Sequence, residues 1–244
     1  EDIDHELARR QMGYGRGGRM KVEKDQVEII SGLRQGMTIG SPISFRISNR
    51  DWPHWSQVMA PFEGNGQEEV EIKEDPVLNR LKAVVTAPRP GHADLNGALK
   101  YGFNDLRNII ERGSARETAA RVGVGAFAKA LLREFGILVG SYVLKIGTAG
   151  SATLSPLTIE EQKKVDESPV RALDPEKTEE MIKAIEHAKE EGETLGGVFA
   201  VYATGLPPGL GSHVHWDRRL DGRLAQAAGT SCFMASRLSW RLTL

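Results

Sequence analysis

Cysteine is almost missing. Cys232 is the only thiol in 244 residues, which excludes an internal disulfide framework and a cysteine zinc cluster. An excess of one charge sign is missing too. With 32 basic against 33 acidic residues the net charge is −1, which argues against a general polyanion binder while leaving local patches open. No apolar run approaches the ~20 residues of a membrane helix. The start, Glu1-Asp2-Ile3-Asp4, lacks the basic-then-apolar order of a signal peptide. These gaps leave a soluble cytoplasmic protein as the expectation. What is present is a 40% hydrophobic fraction, enough for one large domain or two small ones. Glycine is in excess: 27 residues, about 11%, against an average near ~7%. Tight turns, or backbone approaching a ligand, use glycine in this way.

Asp2 to Arg10 reads as the front of a helix, so the chain looks as if it begins mid-protein. Ile43, Phe45 and Ile47 alternate with polar residues, the period of a half-buried strand. Residues 63–75 carry six acids and one lysine and read as a solvated loop or insertion. The clearest helix runs from Ser114 to Phe135. Ser114 and Glu117 have capping-box spacing. Ala119, Val122, Ala126 and Ala130 share one face, with Phe127 and Leu131 beside them, and Gly136 is a stop. Strand-like residues 137–147 follow. A second helix spans about 175–191, capped by Asp174, with Met181, Ile182, Ile185 and Ala188 as its buried stripe. Val198 to Ala203 is a further strand. Strands and long helices mix without a regular βαβ beat, so the predicted class is α+β.

Four clusters carry chemistry. Residues 9–21 hold Arg9, Arg10, Arg16, Arg19 and Lys21, no acid, and glycines between the arginines. Guanidinium forks grip phosphate oxygens, and glycine lets backbone N–H groups come close. The alternatives are an RNA-binding or merely solvated basic loop. In Arg89-Pro90-Gly91-His92-Ala93-Asp94 a stiff backbone surrounds one histidine, which is readily tuned as an acid near neutral pH. Asp94 either orients His92 or pairs with Arg89. Arg112, Gly113, Ser114 and Arg116 stand at the expected start of the long helix, where free N–H groups favour anions. His213, His215 and Asp217 share a face if that segment is extended, which permits a metal site. A structural or rim role is the competing reading.

In order and wording together, these segments resemble the chorismate synthase family. The resemblance rests on Glu6 to Gln11 running into the Gly/Arg loop, Gly40-Ser41-Pro42-Ile43 and Asn49-Arg50-Asp51-Trp52. It continues through Arg89 to Leu95, Lys100-Tyr101-Gly102, Ser114 to Ala119 and Gly205 to Ser212. It covers about residues 1–228, with 229–244 as a tail that does not match. It implies a β-α-β sandwich, usually a tetramer, here incomplete. It implies a lyase that converts 5-enolpyruvylshikimate 3-phosphate to chorismate and phosphate, the last common step toward aromatic amino acids. Reduced FMN is required although the reaction has no net redox change.

By this resemblance Arg10, Arg16 and Arg19 face the substrate's phosphate and carboxylates, with Arg116 nearby. Arg10 and Arg16 also meet NADPH where the enzyme reduces its own flavin. His92 matches the histidine that protonates reduced flavin. Arg112, Gly113 and Ser114 match the FMN-contacting turn, with Gly113 where the family usually has serine. No metal, nucleic acid or membrane partner is implied.

The family's Gly-Glu-Ser-His-Gly motif lies upstream of this start, and its flavin-contacting lysine, arginine and aspartate lie beyond this tail. An incomplete sheet of this kind is expected to aggregate or to bind FMN poorly. Residues 231–238 can be encoded so that a shifted frame reads Met-Leu-His-Gly-Ile-Gln-Ala, close to an Ile-Gln-Ala of the family. The expectation is a frameshift near Thr230, which resequencing the gene tests; an intact frame through Leu244 refutes it.

Overall fold

In a computed structural model of the chain the described residues are 2–15, 24–56, 58–62, 84–151 and 154–231. Helix α1 (Asp2–Gln11) has Asp2 and Asp4 in its first turn and Arg9 and Arg10 in its last, the order the helix dipole favours. Its Leu7 is fully buried, and it packs along α5 (Glu117–Glu134). Ion pairs Glu6–Lys129 and Asp2–Arg133 tie the two helices together. Strand β1 (Val27–Ser31) pairs antiparallel with β4 (Ser44–Ile47), and β2 (Leu33–Arg34) and β3 (Met37–Thr38) form a small ladder between them.

Phe45 and Ile47 are half-buried as the alternation predicts, while Ile43 lies just outside the strand and is exposed. Phe45 lies against α5, its ring centroid 5.7 Å from that of Phe127. The approach is close enough to need a glycine: a Cβ at Gly123 would stand 2.9 Å from the Phe45 ring.

Short helices α2 (Trp52–Trp55), α3 (Asp94–Tyr101) and α4 (Arg107–Arg112) follow. Beyond α5, strands β5 (Leu138–Ile146), β6 (Ala149–Gly150) and β7 (Gly197–Thr204) make an antiparallel sheet in the order β6-β5-β7. Helices α6 (Ile159–Glu167) and α7 (Pro175–Glu191) come between β6 and β7 in the chain. A 3-10 turn (Trp216–Arg218) and α8 (Leu220–Ser231) come last.

Alternate β5 residues Tyr142 and Leu144 pack with Val165 and Ala200. Val143 and Ile146 join Val170, Ala172 and Met181 instead. A register irregularity between Val143 and Lys145 shifts the side-chain parity, which brings positions three apart to one face. Every strand pair among the described residues is antiparallel, so the class is α+β, as the mixed pattern predicts.

Local capping corrects one expectation. The capping box is at Thr158 and Glu161, where Glu161 N–H donates to Thr158 Oγ1 (3.2 Å) and Thr158 N–H to Glu161 Oε2 (2.8 Å). At the long helix there is none: α5 starts at Glu117, and its N-cap Arg116 makes no side-chain cap. Leu131, expected beside the buried stripe, is 61% exposed, and Gly123 takes a buried place on that face instead. Helix α7 matches its prediction: Asp174 accepts from the N–H groups of Glu176 and Lys177, and Met181 and Ala188 are buried. The acidic stretch 63–75 lies outside the described residues.

Candidate anion and cofactor site

Three segments converge on one carboxylate. The last turn of α1 brings Arg10, the lead into β1 brings Asp25, and the turn before α5 brings Arg116. Arg10 Nη1 donates to Asp25 Oδ2 (3.2 Å), and Arg116 Nη1 donates to Asp25 Oδ1 (2.6 Å). The side chains are 2% exposed for Asp25, 10% for Arg10 and 16% for Arg116. Further bonds fix both guanidinium planes. Arg10 Nε donates to Thr118 Oγ1 (3.0 Å) and Nη2 to the Ala115 carbonyl (3.2 Å). Arg116 Nη2 donates to the Ser48 carbonyl (3.0 Å). Two guanidiniums and one carboxylate leave a net positive charge, with each guanidinium held by several hydrogen bonds. That is the arrangement that stabilises charge developing on a bound anion.

Asp25 was not picked out by sequence reasoning. It follows the arginine cluster closely, but nothing in its spacing separates it from Glu23. Only the contact with Arg116, 91 positions away, does so.

Beside this cradle is a pocket of about 340 Å³ lined by Phe45, Trp52, Arg112 and Arg116, among others. Trp52 is 47% exposed there. Arg112 ends α4, is 79% exposed, and stands 3.9 Å from Glu117. Gly113 has φ −83°, a value any residue adopts, so the backbone conformation does not require glycine there. Its N–H donates to the Ile109 carbonyl (2.7 Å). Ser114 Oγ accepts from the Arg116 N–H (3.2 Å).

The predicted anion site at the N-terminus of the long helix does not form as expected. The N–H groups of Glu117, Thr118 and Ala119 donate to the carbonyls of Ser114, Ala115 and Arg116. The charge here comes from side chains, not from open helix N–H groups. What the turn offers is the Arg112 guanidinium and the Ser114 hydroxyl.

His92 is exposed on a turn closed by the ion pair between Arg89 and Asp94. Asp94 Oδ2 accepts from the Arg89 N–H (3.0 Å) and Nε (2.8 Å), and Oδ1 accepts from Nη2 (3.0 Å). The Arg89 guanidinium holds the Asp94 carboxyl down at about 2. Of the two roles open to Asp94, pairing with Arg89 is the one adopted. His92 sits just before α3, which packs on α4, the helix that ends at Arg112.

Arg16 and Arg19 lie outside the described residues. Two of the four expected arginines, Arg10 and Arg116, are therefore brought together in the described structure. The extended face on which a metal reading depended is not formed: Trp216–Arg218 is a 3-10 turn. There His215 Nδ1 lies 2.8 Å from Asp217 Oδ1, and His213 is exposed.

Comparison with known proteins gives a consistent result. A family model described as chorismate synthase matches residues 1–230. The chorismate synthase of Shouchella clausii (strain KSM-K16) is 51% identical over 228 residues, covering 93% of this chain and 56% of that protein. That of Aquifex aeolicus (strain VF5) is 52% identical over 235 residues, with the same two shares, 93% and 56%. A solved structure described as a crystal structure of chorismate synthase superposes with a TM-score of 0.69 at 43% identity, covering 94% of this chain and 56% of that one. The chain thus spans about half the length of the curated relatives it matches. A stand-alone RNA-binding domain is not favoured by these matches.

Proposed function

The chain belongs to the chorismate synthase family, and from that premise we propose that it carries part of the active site of a lyase. The reaction removes phosphate from 5-enolpyruvylshikimate 3-phosphate and yields chorismate. A C–H bond and the C3–phosphate bond break, a carbon–carbon double bond forms, and inorganic phosphate and a proton leave.

The observation that carries this reading is the meeting of Arg10 and Arg116 on buried Asp25. The substrate brings one phosphate and two carboxylates, so a rigid cationic cradle is what it requires. In this role Arg10 and Arg116, with Arg16 and Arg19 from the adjoining loop, bind and orient the anion. Their charge-assisted bonds strengthen as negative charge gathers on the departing phosphate.

Reduced FMN, when bound, supplies a transient electron donor. The residues present suit such a group: Trp52 and Phe45 give the pocket aromatic walls and Arg112 gives it a cation, while the Ser114 hydroxyl stands on the turn just after Arg112. On this reading Arg112 and the Gly113–Ser114 turn hold FMN, and His92 supplies an imidazole for proton transfer. Contact of Arg10 and Arg16 with NADPH belongs to the same reading, as do the β-α-β sandwich and a cytoplasmic homotetramer at full length. No helix among the described residues is long and apolar enough to cross a membrane.

The test is anaerobic phosphate release from 5-enolpyruvylshikimate 3-phosphate by the full-length enzyme, run beside this chain. Release that requires reduced FMN is expected from the full-length enzyme, with little from this chain. Failure of the full-length enzyme to release phosphate overturns the proposal.

A further inference from the structure

Arg10 is not the only residue of α1 that reaches the chain around Asp25. Asp4, Leu7 and Arg10 follow one another at three-residue steps, which keeps them near one face of the helix. Leu7, in the middle, is fully buried. The two polar ends of this stripe meet the same short piece of chain. Asp4 Oδ1 accepts from the Val27 N–H (2.8 Å), and Arg10 Nη1 donates to Asp25 Oδ2 (3.2 Å). The helix and the chain entering β1 therefore run in opposite directions along this contact. Six residues of helix span ~9 Å and two of extended chain ~7 Å, so side chains can bridge both ends. One contact would leave a pivot, whereas two at this spacing fix both the slide and the tilt of α1. The same strand serves the second arginine. Val27 is paired with Ile47, and the next residue, Ser48, gives its carbonyl to Arg116 Nη2 (3.0 Å).

We propose that Asp4 is a positioning residue for the anion cradle: its bond to the Val27 N–H holds α1 and β1 at the spacing that aims Arg10 and Arg116 together. The inference rests on the reading of that cradle as a phosphate site. Without Asp4 the Val27 N–H loses this acceptor, and α1 can shift along the strand. A guanidinium displaced by ~1 Å no longer meets its anion at hydrogen-bond length. The displacement is present in every folded molecule, so binding of the anion weakens.

The test compares the full-length enzyme with its Asp4→Ala, Asp4→Asn and Asp2→Ala variants. Asp4→Ala raises KM for the phosphorylated substrate and the inhibition constant of inorganic phosphate, each roughly tenfold, the worth of one hydrogen bond to a charged group. FMN affinity stays near wild type, because neither Asp4 nor Val27 lines the pocket beside Arg112. Asp4→Asn keeps an oxygen acceptor for the Val27 N–H and restores both constants. Asp2→Ala removes an acid from the same helical turn, together with its ion pair to Arg133, and leaves both constants near wild type. A merely structural role for Asp4 lowers kcat through the share of active enzyme and leaves KM and the phosphate constant unmoved. That result overturns the inference, as does an equal rise in Asp2→Ala. Where Asp4→Ala does not fold, Asp4→Ser, whose hydroxyl stops one bond short, takes its place with the same expectation. If wild type itself releases no phosphate, the functional reading fails instead. Hydrogen exchange over residues 24–31 then still reports on the contact: faster exchange in Asp4→Ala than in Asp2→Ala sustains it, and equal exchange ends it.

Discussion

Asp25 and Asp94 make a natural experiment within one molecule. Both carboxylates are almost fully buried, at 2% and 1% side-chain exposure, and both are paired to arginine. Their reach differs. Asp94 closes a loop of five positions onto Arg89, and Arg89 remains 44% exposed. Asp25 joins Arg10 and Arg116, which are 15 and 91 positions away and nearly buried themselves. The same chemistry thus shapes one turn in the first case and assembles three elements in the second. A buried ion pair is costly to break because the surviving charge stays out of water. The cost should follow how many charges are stranded and how far they can relax.

The sharpest way to break the comparison is Asp25→Asn. It removes the carboxylate charge shared by two nearly buried guanidiniums and should cost about 3–5 kcal/mol, read as a drop in the urea midpoint. A loss below about 1 kcal/mol would show that the remaining partners of Arg10 and Arg116, Thr118, Ala115 and Ser48 among them, satisfy the two guanidiniums.

Asp94→Asn comes next, at about 1–3 kcal/mol, since Arg89 can turn to solvent. Here the pH dependence has a definite sign. The folded carboxyl titrates at about 2 against an ordinary 3.8. Its contribution is therefore complete above the ordinary value and is lost as pH falls through about 2. Wild type should lose more stability across that acid interval than Asp94→Asn does. Parallel losses in the two proteins would remove the ion pair from the account.

The smallest structural effect belongs to Arg112→Ala. With its side chain 79% exposed, stability should move by no more than about 0.5 kcal/mol. FMN affinity of the full-length enzyme should fall about tenfold, the worth of one charge-assisted contact. A fluorescence titration beside a thermal melt separates the two, and unchanged FMN binding would take Arg112 out of the cofactor turn.

How far the chain could be read in advance follows from the range of each interaction. Helix α7 was legible because Asp174, Pro175 and the Met181–Ala188 stripe act within a few turns of themselves. The strand containing Phe45 and Ile47 was legible for the same reason. The start of α5 was misplaced because Ser114 uses its hydroxyl on the nearby Arg116 N–H rather than on Glu117. That is a competition between two local bonds which spacing does not decide. Leu131 follows the stripe's period yet is 61% exposed, since period says nothing of what lies opposite. In the site, residue chemistry selected Arg10 and Arg116, yet their common partner could not be found from the chain. Asp25 acquires its meaning only when residues 91 positions apart meet.

That separation also governs when the cradle can exist during folding. Closing the stretch from Asp25 to Arg116 costs about 1–2 kcal/mol more chain entropy than closing that from Arg10 to Asp25. The shorter contact can form early as a lone ion pair. The longer contact, made by Arg116, carries the larger closure cost. On the proposed reading both contacts are needed to hold a multiply charged anion, so changes that weaken the scaffold at a distance should lower the fraction of competent molecules and leave the affinity of each one intact.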